Sequence, residues 1–249
     1  TVTARGVCWS TSPDPTIDDN KTSDGNGTGA FTSQLTNLTH STTYYIRAYA
    51  TNSEGTSYGE QKYFSTLSDG MINGHQYVDL GLSSGLKWAT CNVGADSPED
   101  YGNYYAWGET ETKAEYTEDN SVTFGQQLND ISGNAQYDAA AANWGGSWRM
   151  PTKAELEELI DECTWTWTTQ NGVKGYKVTG PNGNHIFLPA AGCYYWSSLY
   201  DAGEIGYCWS STPDESYSDR AYGLSFDSGG RNVDRDYRDC GRTVRPVSE

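Results

Sequence analysis

At 249 residues the chain suggests one or two domains, taking roughly 150 residues per domain as a loose scale, and its 13% aromatic content, with 9 Trp and 19 Tyr, argues against disorder despite a mean hydropathy of -0.72. A formal charge of -17 excludes sequence-independent binding of nucleic acid or of anionic membrane, both of which need a basic face. No window approaches the ~20 apolar residues of a membrane span. Gly, Ser, Thr, Asn and Asp punctuate short apolar runs, which favours β-rich structure with many turns. The chain opens on Thr1 without a signal peptide and is read as a processed or trimmed fragment.

In chain order, residues 1–67 are predicted as a small β-sandwich piece. "TARGVCWST" reads as a strand with Val7 and Trp9 on one face, and "GTGAFTSQLTNL" follows with Phe31, Leu35 and Leu38 apolar. In "TYYIRAYA", Tyr44, Ile46, Ala48 and Ala50 alternate with Tyr45, Arg47 and Tyr49, the pattern of a half-buried strand. "NSEG" is a turn and "EQKYFST" a last strand. Leu38, Thr42 and Tyr44 in "LTHSTTYYIRAYA" resemble the tyrosine corner and following strand of a fibronectin type III domain. That resemblance implies a spacer of about seven strands, of which the first two would be cut away or donated by another chain.

Residues 68–76 are polar and glycine-punctuated, a predicted linker, and 77–249 form the second predicted domain. "YVDLGLSSGLKWATCNVGA" gives two short strands around an SSG turn, "EDYGNYYAWGE" is aromatic and loop-like, and "TKAEYTEDNSVTFGQQLNDISGN" reads as an irregular surface excursion. Asp138 is a predicted N-cap of an Ala-rich helix. A second helix is predicted in "MPTKAELEELIDEC", where Thr152 and Glu155 make a capping box and Leu156, Leu159, Ile160 and Cys163 an apolar stripe. Glu155, Glu157 and Glu158 read as a solvated, dipole-favourable first turn and not as catalytic carboxylates. Short strands follow: "TWTWTT", "GYKVTG", "HIFLPAAG", then a Tyr/Trp/Ser-rich terminal third.

The ordered motifs "GHQYVDLGLSSGLKWATCNVGA", "YGNYYAWGET", "WGGSWRMPTKAELEELIDECTWTW", "IFLPAAG", "YCWSST", "LSFDSG" and "GRTVRPV" resemble the Fibrobacter major-paralogous-domain family over nearly all of 71–249. The resemblance implies an α+β fold: a C-type-lectin-like domain with two short helices and mixed β-structure, here behind the fibronectin-like piece. The stretch from "AAGCYYWSSLYDAGEIGYCWSST" to "GRTVRPV" is similar to the variable region of diversity-generating retroelement targets of gut bacteria. In those, randomised template adenines yield Asn, Ser, Tyr, Asp, Gly, Arg or Cys but never Lys, Gln, Glu, Met or Trp. From Ala190 to Glu249 there is no Lys, Gln or Met, although Trp196, Glu204, Trp209, Glu215 and Glu249 then require fixed positions or other codons.

A binding surface places Tyr and Trp for rigid contact area, with small polar residues as adaptable partners. By this reading Tyr194, Tyr195, Trp196, Tyr200, Asp201, Ile205, Tyr207, Asp214, Tyr217, Arg220, Tyr222, Arg231, Asp234, Arg235, Asp236, Tyr237, Arg238 and Asp239 line a ligand-binding face at about 190–247. In "DSGGRNVDRDYRDCGRTVRPV" the "SGG" and "TVRPV" read as frame, a turn and a closing strand, and the charged middle, which lacks strand or helix rhythm, as the recognition segment.

The expected function is that of a surface-displayed, non-enzymatic protein of the bacterial exterior, recognising an unknown protein or glycan. The chain is read as a monomer that binds no nucleic acid and uses no cofactor or metal, with a structural or tip subunit of a surface fibre as the alternative. Six cysteines without a CxxC and three scattered His offer no zinc site. They read as buried or incidental thiols with room for one disulfide. A formylglycine-generating type of enzyme would need reactive thiols, and Cys208 with Cys240 is the pair available. A calcium lectin would need a Trp-Asn-Asp that is missing here, and scattered carboxylates do not make an oxygen cage.

Overall fold

A computed structural model describes residues 1–36, 38, 42–65 and 70–249. The chain divides into two units, Thr1–Asp69 and Gly70–Glu249.

The first unit holds β1 (Ala4–Ser10), β2 (Asn20–Lys21), β3 (Thr43–Asn52), β4 (Gly55–Tyr58) and β5 (Lys62–Ser65), joined in one antiparallel sheet in which β3 pairs with β1, β4 and β5. Among the described residues there is one sheet here, where a sandwich needs two facing ones, so the partial-sandwich expectation is corrected. Trp9, Cys8, Tyr44 and Tyr49 supply the buried side chains. Tyr49 Oη donates to Thr22 O at 2.7 Å, and a Cβ on Gly6 would sit 2.5 Å from that same carbonyl. Close approach of two backbones therefore requires glycine there. Part of the tyrosine-corner motif, residues 39–41, lies outside the described residues.

The second unit begins with β6 (Gly70–Ile72) and β7 (His75–Asp79), a hairpin over much of the expected linker; residues 68 and 69 lie outside the described ones. Its turn residues Asn73 and Gly74 have φ of 46° and 85°, the paired positive angles that favour Asn-Gly in two-residue hairpins. β8 (Lys87–Ala89) continues this sheet, whose far edge is the terminal strand described last. The polar stretch after it is less free than expected. Tyr116, Thr123 and Ile131 are buried, and Tyr116 Oη donates to Tyr104 O at 2.6 Å.

Two α-helices follow, and both predicted caps form. In α1 (Ala139–Trp144) the Asp138 carboxylate accepts from Ala140 N and Ala141 N. In α2 (Lys153–Glu162) Thr152 and Glu155 make the reciprocal capping box. Leu156, Leu159 and Cys163 are buried, with Ile160 packed beside them. Glu155 is not solvated: it holds Arg149 through two bonds of 2.7 and 2.8 Å. Burial opposes its charge, but the Arg149 guanidinium and the Thr152 N–H outweigh burial and keep the carboxyl below its ordinary range.

β9 (Thr164–Gln170), β10 (Val173–Thr179) and β11 (His185–Pro189) make a three-stranded antiparallel sheet. β12 (Cys193–Tyr195) and β13 (Ser198–Tyr200) form a separate two-stranded hairpin. β14 (Gly206–Pro213), β15 (Arg220–Asp227) and β16 (Gly230–Tyr237) make a third sheet in that order, and β17 (Val247–Ser248) returns to pair with β8. The helices hold only 6 and 10 residues against strands throughout. The α+β expectation, and the C-type-lectin-like arrangement it was attached to, is therefore overturned in favour of a mostly β chain of several small antiparallel sheets.

Between these layers lie two apolar centres. One gathers α2, β9–β11 and the inner face of β15 around Trp88, Leu156, Leu188 and Phe226. The other surrounds Trp107, Trp148 and Trp209. Three arginines tie loops to them. Arg245 is 1% exposed and has no carboxylate partner among the described residues; it donates to Asn92 Oδ1, to the carbonyls of Ala89 and Thr90, and to Phe187 O. Its guanidinium staples three separate segments.

Candidate binding face

The terminal sheet has two faces with different chemistry. Cross-strand partners share a face, so the pairs Phe226–Arg231, Leu224–Val233, Tyr222–Arg235 and Arg220–Tyr237 define one of them. Leu224, Phe226 and Val233 turn into the core against α2. Further along, the same face becomes a ladder of cations over rings. Arg220 lies 5.3 Å from the Tyr217 ring centre and 4.6 Å from that of Tyr237. Arg235 lies 5.0 Å from Tyr217, and Lys153 of α2 lies 4.3 Å from Tyr222. Arg235 also meets Asp214 at 3.0 Å.

On the opposite face Arg242 lies 4.7 Å from the ring centre of Tyr207 and 4.5 Å from that of Trp209, and it pairs with Asp236. Gly223 makes room for it, since a Cβ there would lie 3.2 Å from the Arg242 guanidinium and 2.8 Å from Cys208 O. Burial pushes the Tyr207 hydroxyl up to about 12. A cleft of about 470 Å³ opens beside Tyr207, bounded by Ile205, Ser225, Asp227, Arg231 and Asn232.

The β12–β13 hairpin stands beside this face. Tyr194 points inward, edge-on to Tyr104 at 4.9 Å and 5.6 Å from Tyr116. Tyr195, Trp196, Leu199 and Tyr200 are 48%, 58%, 38% and 51% exposed. The hairpin hangs on backbone bonds: Tyr194 and Gly241 exchange a pair at 2.8 and 2.9 Å, and Trp196 and Tyr116 a pair at 3.0 Å each. Trp196 and Asp201 have φ of 56° and 58°, a region that bulky residues avoid. Tyr195 and Tyr200 stand on the Cys193 side of the hairpin, and Cys193 is within electrostatic reach of Arg242, Asp201 and Asp236.

The predicted site residues thus separate into three groups. Tyr195, Trp196, Tyr200 and Asp201 on the hairpin and Tyr217, Arg231, Asp234, Arg235 and Tyr237 on the sheet are exposed. Tyr194, Ile205, Tyr207, Arg220, Tyr222 and Asp236 are half-buried. Asp214, Arg238 and Asp239 are interior, which corrects their assignment to the face. Burial disfavours the Asp214 carboxylate, but N–H groups of Ser216 and Tyr217 and the Arg235 guanidinium hold its pKa below the ordinary value. Arg238 lies 4.2 Å from the Trp107 ring centre, donates to the carbonyls of Arg220, Thr123 and Gln126, and has its pKa lowered to about 10 by burial. Burial pushes the Asp239 carboxyl up. Leu199 and Lys153 were not foreseen. An apolar residue in the polar run "WSSLY" was a legible signal for the first, whereas nothing local connects Lys153 to Tyr222.

Residues 80–248 match the family model described as the Lcl C-terminal domain. The chain belongs to that family. The match carries a different description from the major-paralogous-domain resemblance and does not address the retroelement reading. No curated protein and no solved structure matches. Membership of the Lcl C-terminal domain family suggests a surface-associated protein, and no helix among the described residues is long and apolar enough to cross a membrane.

Within the Lcl C-terminal domain Cys163, Cys208 and Cys240 are buried, and Cys91 and Cys193 half-buried. Burial raises the Cys208 thiol and pushes that of Cys240 up to about 12, which disfavours the thiolate that nucleophilic chemistry needs. Among the described residues all six cysteines are free, and no cluster of three His, Cys, Asp or Glu comes together to hold a metal.

Proposed function

We propose that this protein is a non-enzymatic ligand-binding module of the bacterial cell exterior, recognising a protein or glycan through the β12–β13 hairpin and the adjoining Tyr207–Asp236 face. The observation that carries this reading is where the exposed apolar area sits. Of ten exposed large hydrophobic side chains among the described residues, six fall between Tyr195 and Tyr237, Tyr217 and Tyr237 of these on the other face of the sheet. The other four share the eight-residue β12–β13 hairpin, whose backbone is fixed to the frame. Exposed aromatic area on a rigid support is what a recognition surface needs, because little side-chain entropy is lost on contact. The protonated, buried Cys208 and Cys240 support a non-enzymatic role.

The reading as a retroelement target rests on the codon logic of 190–249 and on this same geometry: exposed side chains stand on a backbone held by Gly241 and Tyr116. The test is binding of the intact chain to glycan and protein arrays beside Trp196→Ala with Tyr200→Ala. Loss of every signal in the double variant, with unchanged unfolding, is expected. Equal signals from both proteins would overturn the assignment of the face.

A further inference from the structure

The recognition segment expected to lack regular structure is an edge strand. β16 pairs with β15 on one side, and among the described residues no strand lies on its other side. Asp227 and Gly230 close the hairpin, so residues 230, 232, 234 and 236 turn their N–H and C=O groups to β15, and 231, 233, 235 and 237 turn theirs outward. Two outward N–H groups are already taken: Arg235 N donates to Asp234 Oδ1 at 2.7 Å and Tyr237 N to Asp236 Oδ1 at 2.8 Å. Those of Arg231 and Val233 meet no acceptor among the described residues. Natural sheets guard their edges, and this one is guarded at its far end only.

The open end borders a groove of about 320 Å³ walled by Glu157, Ile160 and Asp161 of α2 and by Arg231, Asn232 and Val233 of β16. The wall across from the edge is acidic, and Asp234 flanks the edge on its other face. An incoming strand would pair its backbone with Arg231 and Val233 and turn its basic side chains to the α2 wall, their stems over Ile160 and Val233 and their charges at Glu157 and Asp161. We infer that β16 and α2 form a second docking surface, apart from the aromatic hairpin, which takes an extended peptide segment of alternating apolar and basic residues by strand addition. A second copy of this chain fits poorly. Antiparallel pairing centred on Val233 sets Arg231 opposite Arg235, a like-charge pair, between molecules of net charge -17.

The test titrates the intact chain with acetyl-Lys-Val-Lys-Val-Lys-amide while amide chemical shifts are followed. Shifts centred on Arg231 and Val233 are expected. Glu157→Gln with Asp161→Asn, both exposed positions, should weaken binding about tenfold, the yield of two surface ion pairs. A probe N-methylated at the amides that must donate should not bind. Equal binding by the methylated probe, shifts away from β16, or a concentration-dependent dimer that maps to β16 would each overturn the inference.

Discussion

Arg238 separates frame from contact most sharply, because its place in a Tyr/Asp/Arg-rich run makes it look like a recognition residue and its burial says otherwise. Consider Arg238→Met, which keeps length and removes every donor. The carbonyls of Arg220, Thr123 and Gln126 lose bonds of 3.0, 3.1 and 2.8 Å. Gln126 is an exposed residue, so its carbonyl rehydrates; the buried Thr123 O is left unsatisfied at about 1–3 kcal/mol, while Arg220 O keeps its bond from Asp214 N and loses about 1 kcal/mol. The contact with Trp107 at 4.2 Å contributes about 1 kcal/mol more. Relief of the buried charge and the new Met–Trp contact offset part of this. The net expectation is a loss of about 3 kcal/mol, a large share of the 5–15 kcal/mol typical of a domain. In urea, with a slope of about 2 kcal/mol per molar, the tryptophan-fluorescence midpoint should fall by about 1.5 M. Arg231→Ala, an exposed control 5.2 Å from Trp165, should cost under about 1 kcal/mol. A midpoint for Arg238→Met within about 0.3 M of the parent, together with loss of array binding, would refute the reasoning and return Arg238 to the contact surface.

Trp196→Gly should raise stability by about 1 kcal/mol, because glycine accepts the positive φ that Trp196 is forced into, while array binding falls; a destabilised variant would mean the ring packs and does not recognise. The Glu155 carboxyl has a folded pKa below its ordinary 4.5. Its stabilisation is therefore fully present above that value and lost as pH falls through the lowered one. Glu155→Gln should accordingly show a flatter fall in urea midpoint between about pH 6 and about pH 3 than the parent, and parallel curves would discount the ion pair with Arg149. In thiol titration at neutral pH Cys91 should react first and Cys193 slowly, with Cys8, Cys163, Cys208 and Cys240 silent until denaturation; rapid modification of Cys208 or Cys240 would reopen the enzymatic alternative.

What could be read from the sequence was whatever rests on local chemistry. Asp138 and the Thr152–Glu155 box declare helix starts because capping needs only neighbours in sequence, and Leu156, Leu159 and Cys163 declare a buried stripe because periodicity does. The α+β expectation failed because two clear caps drew attention to helices that are short, while many brief strands carried weak signals. β16 was missed for a related reason. Its less exposed positions, Gly230, Val233 and Asp236, recur every third residue and fall on both faces, Val233 among apolar partners and Asp236 with Arg242. Burial along the strand therefore carries no two-residue rhythm for polarity to report. The interior arginines were hidden likewise. Arg238 and Arg245 are held mainly by backbone carbonyls, and a sequence does not show which carbonyls will be near.

The hairpin's attachment has a consequence for how this protein can change over generations. Tyr194–Gly241 and Trp196–Tyr116 are joined through main-chain atoms, so the geometry of the tip does not depend on which side chains the tip carries. Replacing Tyr195, Leu199 or Tyr200 alters what the surface meets without drawing on the interactions that keep the chain folded. Such a site can accumulate alternatives at nearly constant fitness of the fold, and a lineage can explore new partners before it has abandoned the old one.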